Sequence, residues 1–292
     1  MSIFSGLEKI VRTNCVLSNY TWYGLGGPAD FVVLPETVEQ LGVVVRRCRE
    51  NNMPMRVLGL GSNLLVRDEG VRGVVVKLEG PEFGKSDFAN DELTAWAGAN
   101  LSRLVLECVR RGCGGLEALT GIPGSVGGAV RMNAGGNFGD IGTSVESVTV
   151  IDGHGNIFTK AKPELSFDYR RVNIAAPLIL NAKVRLSRAD PEQLLRTVKE
   201  IWIYKKNSQP LNTKNAGCVF KNPRGLSAGA MIDRSGLKGT QIGGARVSEK
   251  HANFIVAVEG CKSDDVLRLI DMVRRRVKEE FDIDLELELE IW

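Results

Sequence analysis

The chain has 292 residues, more than one hydrophobic core usually organises, so its length predicts two domains. Hydrophobic residues make up 43% of it and charged residues 25%, the proportions of a globular protein, and the net charge of +3 is too small to indicate a nucleic-acid partner. Six cysteines form no CxxC pair, and the two histidines, His154 and His251, offer no zinc-like spacing, so we predict no metal site.

Targeting and membrane signals are also missing from the pattern. No apolar run reaches the roughly 18 residues that a membrane-spanning helix needs, and the N-terminal segment lacks the apolar core of a secretion signal. We therefore expect a soluble cytoplasmic protein with reduced thiols and with neither a nucleic-acid nor a membrane partner. We also expect a monomer, although no feature of the sequence determines the oligomeric state.

The first part of the chain alternates helix and strand. Thr37 and Gln40 form a capping-box pattern, and apolar residues then recur at helical spacing, which predicts a helix over 37–51. The segment MRVLGLG at 55–61 and the β-branched run GVVVKL at 73–78 predict two strands.

A second helix and a glycine-rich segment follow. Asn100 can cap this helix, and Gly112 can close it. Ten glycines fall in residues 112–139, a density that predicts irregular backbone. Alternating apolar residues then predict a hairpin over 145–160 and a strand over 177–186.

The C-terminal part has a helix start and a long terminal strand pattern. Asp190 followed by proline is a strong helix N-terminus, and a last helix begins with Ser263 as its cap. We predict an α+β chain with domains at 1–189 and 190–292 and with a final strand at 284–291.

Two glycine loops superficially match a dinucleotide-binding motif. GLGGPA at 24–29 contains Pro28 and is followed by a strand pattern, where a Rossmann site needs a helix. GLGSNL at 59–64 follows a strand, but its third glycine position is Leu64. We therefore predict no Rossmann fold.

Glycine-rich backbone can nevertheless bind a phosphate group, because a chain without Cβ atoms approaches it closely. Gly59, Gly61, Ser62 and Asn63 form one such candidate, and residues 121–129 form the second. Each alone could be a plain tight turn. Two of them in one domain favour a long diphosphate cofactor.

Cys218, in the segment NAGCVFKNP, allows two interpretations. An unpaired cysteine is usually a small buried hydrophobe. Its polar neighbours Asn215, Lys221 and Asn222 instead suggest the edge of a site, where a thiol can donate a proton or act as a nucleophile. The residues leave both readings open.

The end of the chain alternates apolar and acidic residues. With a period of two, Asp284, Glu286, Glu288 and Glu290 share one face of a strand. A solvated face accounts for most of this pattern, and periodicity does not single out a catalytic carboxylate.

Six blocks extend from near residue 20 to the end of the chain. They are YTWYGLGGPAD (20–30), VLGLGSNLLV (57–66), GIPGSVGGAVRMNAGG (121–136), FDYR (167–170), NAGCVFKNP (215–223) and GLKGTQIGGARVSEKHANFIV (236–256). Together, and in this order, they resemble the UDP-N-acetylenolpyruvoylglucosamine reductase family, in its shorter type without a tyrosine-bearing insertion.

The resemblance implies a fold and a reaction. The fold is a vanillyl-alcohol-oxidase-type FAD-binding fold plus a C-terminal α/β substrate-binding domain. The reaction is reduction of UDP-N-acetylglucosamine enolpyruvate to UDP-N-acetylmuramate for peptidoglycan, with FAD bound and NADPH as the hydride-donating co-substrate. Hydride passes from flavin N5 to C3 of the enolpyruvyl ether, and a proton is added at C2.

The resemblance also implies three catalytic residues. Arg170 matches the active-site arginine, which supplies positive charge to the substrate carboxylate. Cys218 falls on the proton donor, which is commonly serine in the family. Glu288 falls on the second glutamate of the family's LEPE ending, where it either holds a carboxylate oxygen in protonated form or orients the arginine.

Ligand-binding positions carry over in the same way. The cofactor-binding positions are Gly59, Leu60, Gly61, Ser62, Asn63, Leu64, Gly121, Ile122, Gly124, Ser125, Gly128 and Ala129. The substrate-binding positions are Tyr169, Asn222, Lys238 and His251. The chain departs from the family at Arg131, which replaces an aromatic or aliphatic residue, and at Leu287, which replaces proline and predicts a more regular final strand.

Two other functions fit parts of the pattern. A flavin oxidoreductase of the same fold could oxidise a small alcohol or lactone and would reduce oxygen readily with such substrates. A non-catalytic nucleotide-sugar binding protein could retain the scaffold without FAD and would not oxidise NADPH.

Overall fold

The computed structural model describes residues 3–292, and within this range the chain forms two compact units. The segments of each unit are residues 3–14, 30–60 and 72–204 for unit 1, and residues 15–29, 61–71 and 205–292 for unit 2. The functional division into 1–189 and 190–292 remains a prediction.

The first sheet has four strands and is accompanied by helix α1 (Val38–Glu50). Its strands in spatial order are Val11–Val16, Pro28–Val33, Val71–Lys77 and Met55–Leu58, the last two parallel. Thr37 caps α1 as predicted, because its Oγ1 accepts the Gln40 N–H at 3.3 Å. The Gln40 side chain instead accepts the Glu36 N–H at 2.8 Å, so the predicted capping box is only half formed.

A second, antiparallel sheet of five strands lies in unit 1. Its strands in spatial order are Ile157–Ala161, Val145–Ile151, Leu178–Arg185, Glu92–Trp96 and Ser86–Ala89. The predicted hairpin and the strand after it are thereby confirmed. Helix α2 (Leu101–Arg110) begins where Asn100 Oδ1 accepts the Arg103 N–H at 3.0 Å, also as predicted.

The glycine-rich segment contains more regular structure than its composition predicts. It forms helix α3 (Val126–Arg131), which Ser125 caps, and a small hairpin of Gly135–Gly136 with Gly139–Asp140. The helix forms although residues 127 and 128 are glycines. A Cβ on Gly127 would lie 2.8 Å from the Cβ of Ala97. Close packing therefore requires glycine there, and the expectation of irregular backbone was wrong.

Unit 1 also contains two further short strand pairs. Phe167–Asp168 pairs with Arg171–Val172, and Cys113–Gly114 pairs with Ser187–Arg188. Helix α4 (Pro191–Ser208) starts at the predicted place. None of the helices in the described part of the chain combines the length and apolar character needed to span a membrane.

Unit 2 is built on a three-stranded antiparallel sheet and two helices. The strands are Gln241–Ile242, Ala245–Val247 and Ile255–Ala257, and the helices are α5 (Ala228–Arg234) and α6 (Ser263–Phe281). Ser263 does not cap α6 as predicted, because the preceding Lys262 is the cap residue. The Ser263 hydroxyl accepts the N–H of Asp68 at 2.9 Å instead.

The C-terminal segment is less regular than its alternation predicts. Only Glu290–Ile291 forms a strand, parallel to Leu64–Leu65, while Leu287 makes an isolated bridge with Phe220. Successive residues of the segment hydrogen-bond to different neighbouring backbone segments, so no single neighbour forms a long ladder with it. The expected regular strand over 284–291 is therefore wrong.

Candidate functional site

Within unit 1, Gly59 of the first predicted glycine cradle lies beside the second cradle. A Cβ on Gly59 would lie 2.8 Å from Oγ of Ser125, which is itself only 4% exposed. Gly59, which follows the strand Met55–Leu58, thus lies directly beside the cap residue of α3. This closeness is what a ligand that contacts both loops requires.

The second cradle has a fixed backbone. Val126 and Gly127 donate their N–H groups to the carbonyls of Ala99 and Ala97, both at 2.9 Å. Gly121 and Gly124 have φ of +71° and +155°, values that disfavour other residues. Of the remaining predicted positions, Ile122 lies in the loop between Gly121 and Gly124. Gly128 and Ala129 lie in the first turn of α3.

Lys77 is a residue of this region that the sequence reasoning missed. Its side chain is buried, and its ammonium donates to the Gly59 carbonyl at 3.1 Å and pairs with Glu79 at 2.7 Å. A buried cation is costly unless it is paired or hydrogen-bonded. The available signal was a lysine inside the apolar run 73–78.

The other predicted cofactor positions, residues 61–64, belong to unit 2. Gly61 has φ of +66°, and a Cβ there would lie 2.1 Å from the Tyr20 carbonyl oxygen, so only glycine fits. Ser62 continues this turn. Asn63 Nδ2 donates to the Glu288 carbonyl at 3.0 Å. Leu64 is 5% exposed, so its side chain belongs to the core.

Arg170 lies at the tip of the short hairpin in unit 1. It is half-buried, its φ is +56°, and its guanidinium lies 5.2 Å from the ring centroid of Tyr169, which is exposed. The Tyr169 N–H donates to Oδ1 of Asp168 at 2.7 Å, which tightens the turn. The hairpin thus presents a cation and an aromatic ring side by side.

Cys218 and Glu288 lie on adjacent backbone segments of unit 2. The Glu288 N–H donates to the carbonyl of Val219, the residue after Cys218, at 2.9 Å. Glu288 is half-buried, whereas Asp284, Glu286 and Glu290 are exposed. Burial therefore separates Glu288 from the other carboxylates, which periodicity could not do.

Its partial exposure separates Cys218 from the buried cysteines of the chain. Cys218 is half-buried, whereas Cys48 and Cys108 are buried. Burial raises the pKa of the Cys48 thiol to about 11 and is the largest cause that raises the pKa of the Cys108 thiol to about 12. A thiol whose pKa is raised by burial is a poor nucleophile, whereas a half-buried thiol such as Cys218 is accessible; its role as proton donor stays a prediction.

Asn253 supports this part of unit 2 and was also missed. It is 3% exposed, and its side chain accepts the Phe220 N–H at 2.9 Å and donates to the Phe220 carbonyl at 2.8 Å. Its carbonyl accepts the Val219 N–H at 2.8 Å. Three hydrogen bonds thus hold the chain that follows Cys218.

The three predicted substrate positions of unit 2 are polar and held in place. His251 Nδ1 accepts the Asn253 N–H at 3.3 Å, which assigns the ring proton to Nε2. Burial, and secondly the charge of Lys238, lower the pKa of His251. Lys238 pairs with Asp233 at 2.6 Å, and Asn222 Oδ1 accepts the N–H of Ala228 at 3.0 Å.

These positions offer donors to an anionic or carbonyl-bearing ligand. Lys238 supplies charge, and neutral His251 supplies the Nε2 hydrogen. Among residues 3–292 no group of three or more His, Cys, Asp or Glu side chains is arranged to hold a metal ion.

Comparisons with known proteins agree along the whole chain. Residues 209–292 match the model of the UDP-N-acetylenolpyruvoylglucosamine reductase C-terminal domain, and residues 29–160 match an FAD binding domain. UDP-N-acetylenolpyruvoylglucosamine reductase from Syntrophus aciditrophicus is 44% identical over 94% of this chain and 89% of its own. The Clostridium novyi enzyme of that name is 40% identical over 97% and 92%.

A solved structure is similar over nearly its full length. The crystal structure of UDP-N-acetylenolpyruvylglucosamine reductase from Thermus caldophilus superposes with a TM-score of 0.84 at 42% identity, covering 97% of this chain and 99% of that one. These matches confirm an FAD-binding domain that is followed by the C-terminal domain of this reductase family, in a mixed α and β fold.

Proposed function

Because the chain belongs to the UDP-N-acetylenolpyruvoylglucosamine reductase family, we propose how its own residues carry out that reaction. The protein is an FAD-dependent oxidoreductase that reduces UDP-N-acetylglucosamine enolpyruvate in peptidoglycan synthesis. The observation that carries the residue assignment is the hydrogen bond from Glu288 N–H to the Val219 carbonyl. It places a half-buried carboxylate residue opposite the chain that bears Cys218.

The glycine loops fit the diphosphate of FAD. Gly59 and Gly61 stand where a Cβ would collide with Ser125 Oγ and with the Tyr20 carbonyl, respectively. Gly59 and Leu60, with residues 121–129, would hold the FAD diphosphate through their backbone N–H groups, and residues 61–64 are kept as predicted cofactor positions. When bound, FAD supplies to C3 of the enolpyruvyl group the hydride that it has taken from NADPH.

Arg170 stabilises the charge that develops on the substrate carboxylate. Hydride addition at C3 pushes electron density through C2 onto the carboxylate oxygens, where a guanidinium forms two parallel hydrogen bonds. The left-handed backbone of Arg170 keeps this side chain at the hairpin tip. Tyr169, exposed beside it, contacts the substrate.

Cys218 and Glu288 complete the proton transfer. Cys218 Sγ delivers the proton to C2, the step that converts the enolic product of hydride addition into the lactyl ether. Glu288 either hydrogen-bonds a carboxylate oxygen in protonated form or orients the arginine. Asn253 keeps the chain after Cys218 in register through its bonds to Val219 and Phe220.

The sugar nucleotide is held by unit 2. Lys238 carries the positive charge that a diphosphate requires, neutral His251 donates from Nε2, and Asn222 offers an amide beside the N-terminus of α5. All six cysteines are free thiols, which supports a cytoplasmic location, and we assign the protein as a monomer with NADPH as reductant.

The reaction is tested by following NADPH oxidation with UDP-N-acetylglucosamine enolpyruvate and weighing the product by mass spectrometry. The expected result is substrate-dependent oxidation and a product heavier by two hydrogen atoms. UDP-N-acetylglucosamine, which lacks the enolpyruvyl group, is the control and should not stimulate NADPH oxidation. Oxygen reduction with small alcohols, and none with the UDP-sugar, would contradict the assignment.

A further inference from the structure

The hairpin that carries Arg170 is too small to define its own conformation. It has two residue pairs, Phe167 with Val172 and Asp168 with Arg171. Arg170 has φ of +56°, a left-handed conformation that is unfavourable for a residue with a Cβ. Such a conformation persists only when the surroundings hold it.

Asn133 is the buried residue that contacts the hairpin close to its tip. It is 4% exposed, and its Nδ2 donates to the Asp168 carbonyl, two residues before Arg170, at 3.0 Å. Its Oδ1 accepts the Gly142 N–H at 3.0 Å. Both ends of the amide are therefore satisfied in a buried place, where each bond is costly to lose.

Close packing at Gly142 also restrains the first strand of the hairpin, Phe167–Asp168. A Cβ on Gly142 would lie 2.5 Å from Cγ of Phe167 and 2.8 Å from Oδ1 of Asn133. The absent side chain lets Gly142, Asn133 and the first hairpin strand pack against one another. The Asp168 carbonyl has little freedom as a result.

The chain that leaves the hairpin is held by Arg131, two residues before Asn133. Its Nη1 donates to the Ile174 carbonyl at 2.6 Å, and its Nη2 donates to the carbonyls of Ala176 at 2.6 Å and Pro177 at 3.3 Å. A planar guanidinium can satisfy three carbonyls at fixed angles. Residues at and just after the end of α3 thus hold both the hairpin near its tip and the chain that leaves it.

We propose that Asn133 is a positioning residue for Arg170, with Arg131 as its partner at the exit of the hairpin. The inference rests on the role of Arg170 given under Proposed function. Residues 125–133 join the Ser125 cap beside Gly59 to the amide that holds Asp168. One short segment of unit 1 therefore fixes both the cofactor cradle and the direction of the catalytic arginine.

The test is Asn133→Asp, which keeps the acceptor for Gly142 and replaces the donor to Asp168 by a second oxygen. Reduction of bound FAD by NADPH, measured by stopped flow, should stay within about threefold of wild type. Reoxidation by the enolpyruvyl substrate should slow by about 10- to 100-fold, the cost of a displaced catalytic group. A purely structural role would lower FAD content or both half-reactions together.

The matched control is Asn173→Asp, at the exposed base of the hairpin. It loses the same kind of bond, from Nδ2 to the Glu164 carbonyl at 3.0 Å, and keeps the acceptor for the Ser166 N–H. Both half-reactions should stay within about threefold of wild type in this variant.

A second variant covers the case in which a buried aspartate prevents folding. Arg131→Lys keeps the charge but cannot reach all three carbonyls, and it should slow reoxidation by about 3- to 10-fold with normal reduction by NADPH. If Arg170→Ala slows reoxidation while the Asn133 and Arg131 variants do not, the positioning role is wrong. If wild-type protein is not reoxidised by the substrate, the proposed function itself is wrong.

Discussion

The side-chain amide of Asn63 is hydrogen-bonded to the backbone carbonyl of Glu288, although 225 positions separate the two residues. Asn63 Nδ2 donates to the Glu288 carbonyl at 3.0 Å, and the Asn63 carbonyl accepts the N–H of Glu290 at 3.1 Å. One residue of a predicted cofactor loop therefore determines the course of the chain around a predicted catalytic carboxylate.

Loss of the Asn63 amide should displace Glu288. Asn63→Asp places an oxygen against the Glu288 carbonyl, and we expect turnover to fall about tenfold and stability to fall by about 1–3 kcal/mol. Steady-state kinetics and thermal unfolding measure both effects. Asn212→Asp, at an exposed position, is the control and should change neither turnover nor stability. An unaltered turnover in Asn63→Asp would mean that the Asn63 amide does not position Glu288 for catalysis.

Replacement of Cys218 should remove proton delivery and spare hydride acceptance. Cys218→Ala should lower turnover by about 10²- to 10⁴-fold while bound FAD is still reduced by NADPH. Cys218→Ser should recover part of the loss because a hydroxyl can also donate. Cys15→Ala, at another half-buried cysteine, is the control, and full turnover in Cys218→Ala would exclude the thiol as donor.

A side chain at Gly59 should weaken FAD binding. Gly59→Val pushes the Ser125 side chain out of the junction of the two cradles, and we expect the FAD dissociation constant to rise at least about tenfold. Quenching of FAD fluorescence on titration measures it. Gly84→Val adds a side chain in open space of the same unit and should leave affinity unchanged; equal affinities in the two variants would remove FAD from this junction.

His251 should make stability depend on pH on the acid side. Burial first, and then Lys238, lower its pKa, so below the usual imidazole pKa of about 6.5 the unfolded chain binds more protons than the folded protein. Stability is therefore complete above that pH and falls as pH decreases below it. Urea unfolding of His251→Gln should show a shallower loss between about pH 5 and 6.5.

The control for this measurement is His154→Gln, which removes an exposed histidine. It should keep the wild-type acid dependence. An acid dependence that is the same in wild type and His251→Gln would mean that the imidazole is not desolvated in the folded protein.

Local signals predicted the elements that depend on neighbouring residues. The caps at Thr37 and Asn100 and the hairpin over 145–160 need only adjacent sequence, and all three are present. Helix α3 was missed because two of its residues are glycines, and its stability comes from packing against Ala97. Propensity does not contain that contact.

The terminal strand shows the same limit. Alternation predicted one long ladder, but the segment bonds to Val219 at Glu288 and to Asn63 at Glu290, so its partners change along its length. The distinction of Glu288 from its neighbours likewise depends on which segment covers it. Resemblance selected Glu288 beforehand, because a motif carries information on distant contacts that periodicity lacks.

Buried polar residues were the least predictable part of the candidate site. Lys77, Asn133 and Asn253 are each under 5% exposed, and each has a hydrogen-bond partner 18 or more residues away in sequence. A polar residue in an apolar run was the only local sign, and it was present for Lys77 alone. The chemistry was predictable from the motifs, whereas its supporting hydrogen bonds were not.

The visible absorption spectrum of the purified protein under anaerobic conditions shows whether bound FAD carries hydride from NADPH to the enolpyruvyl substrate. We expect a flavin band at about 450 nm that bleaches with NADPH and returns when UDP-N-acetylglucosamine enolpyruvate is added. Return of the band without added oxygen would demonstrate both half-reactions in one sample. A colourless protein that takes up no added FAD, or a bleached flavin that the enolpyruvyl substrate leaves bleached, would contradict the account.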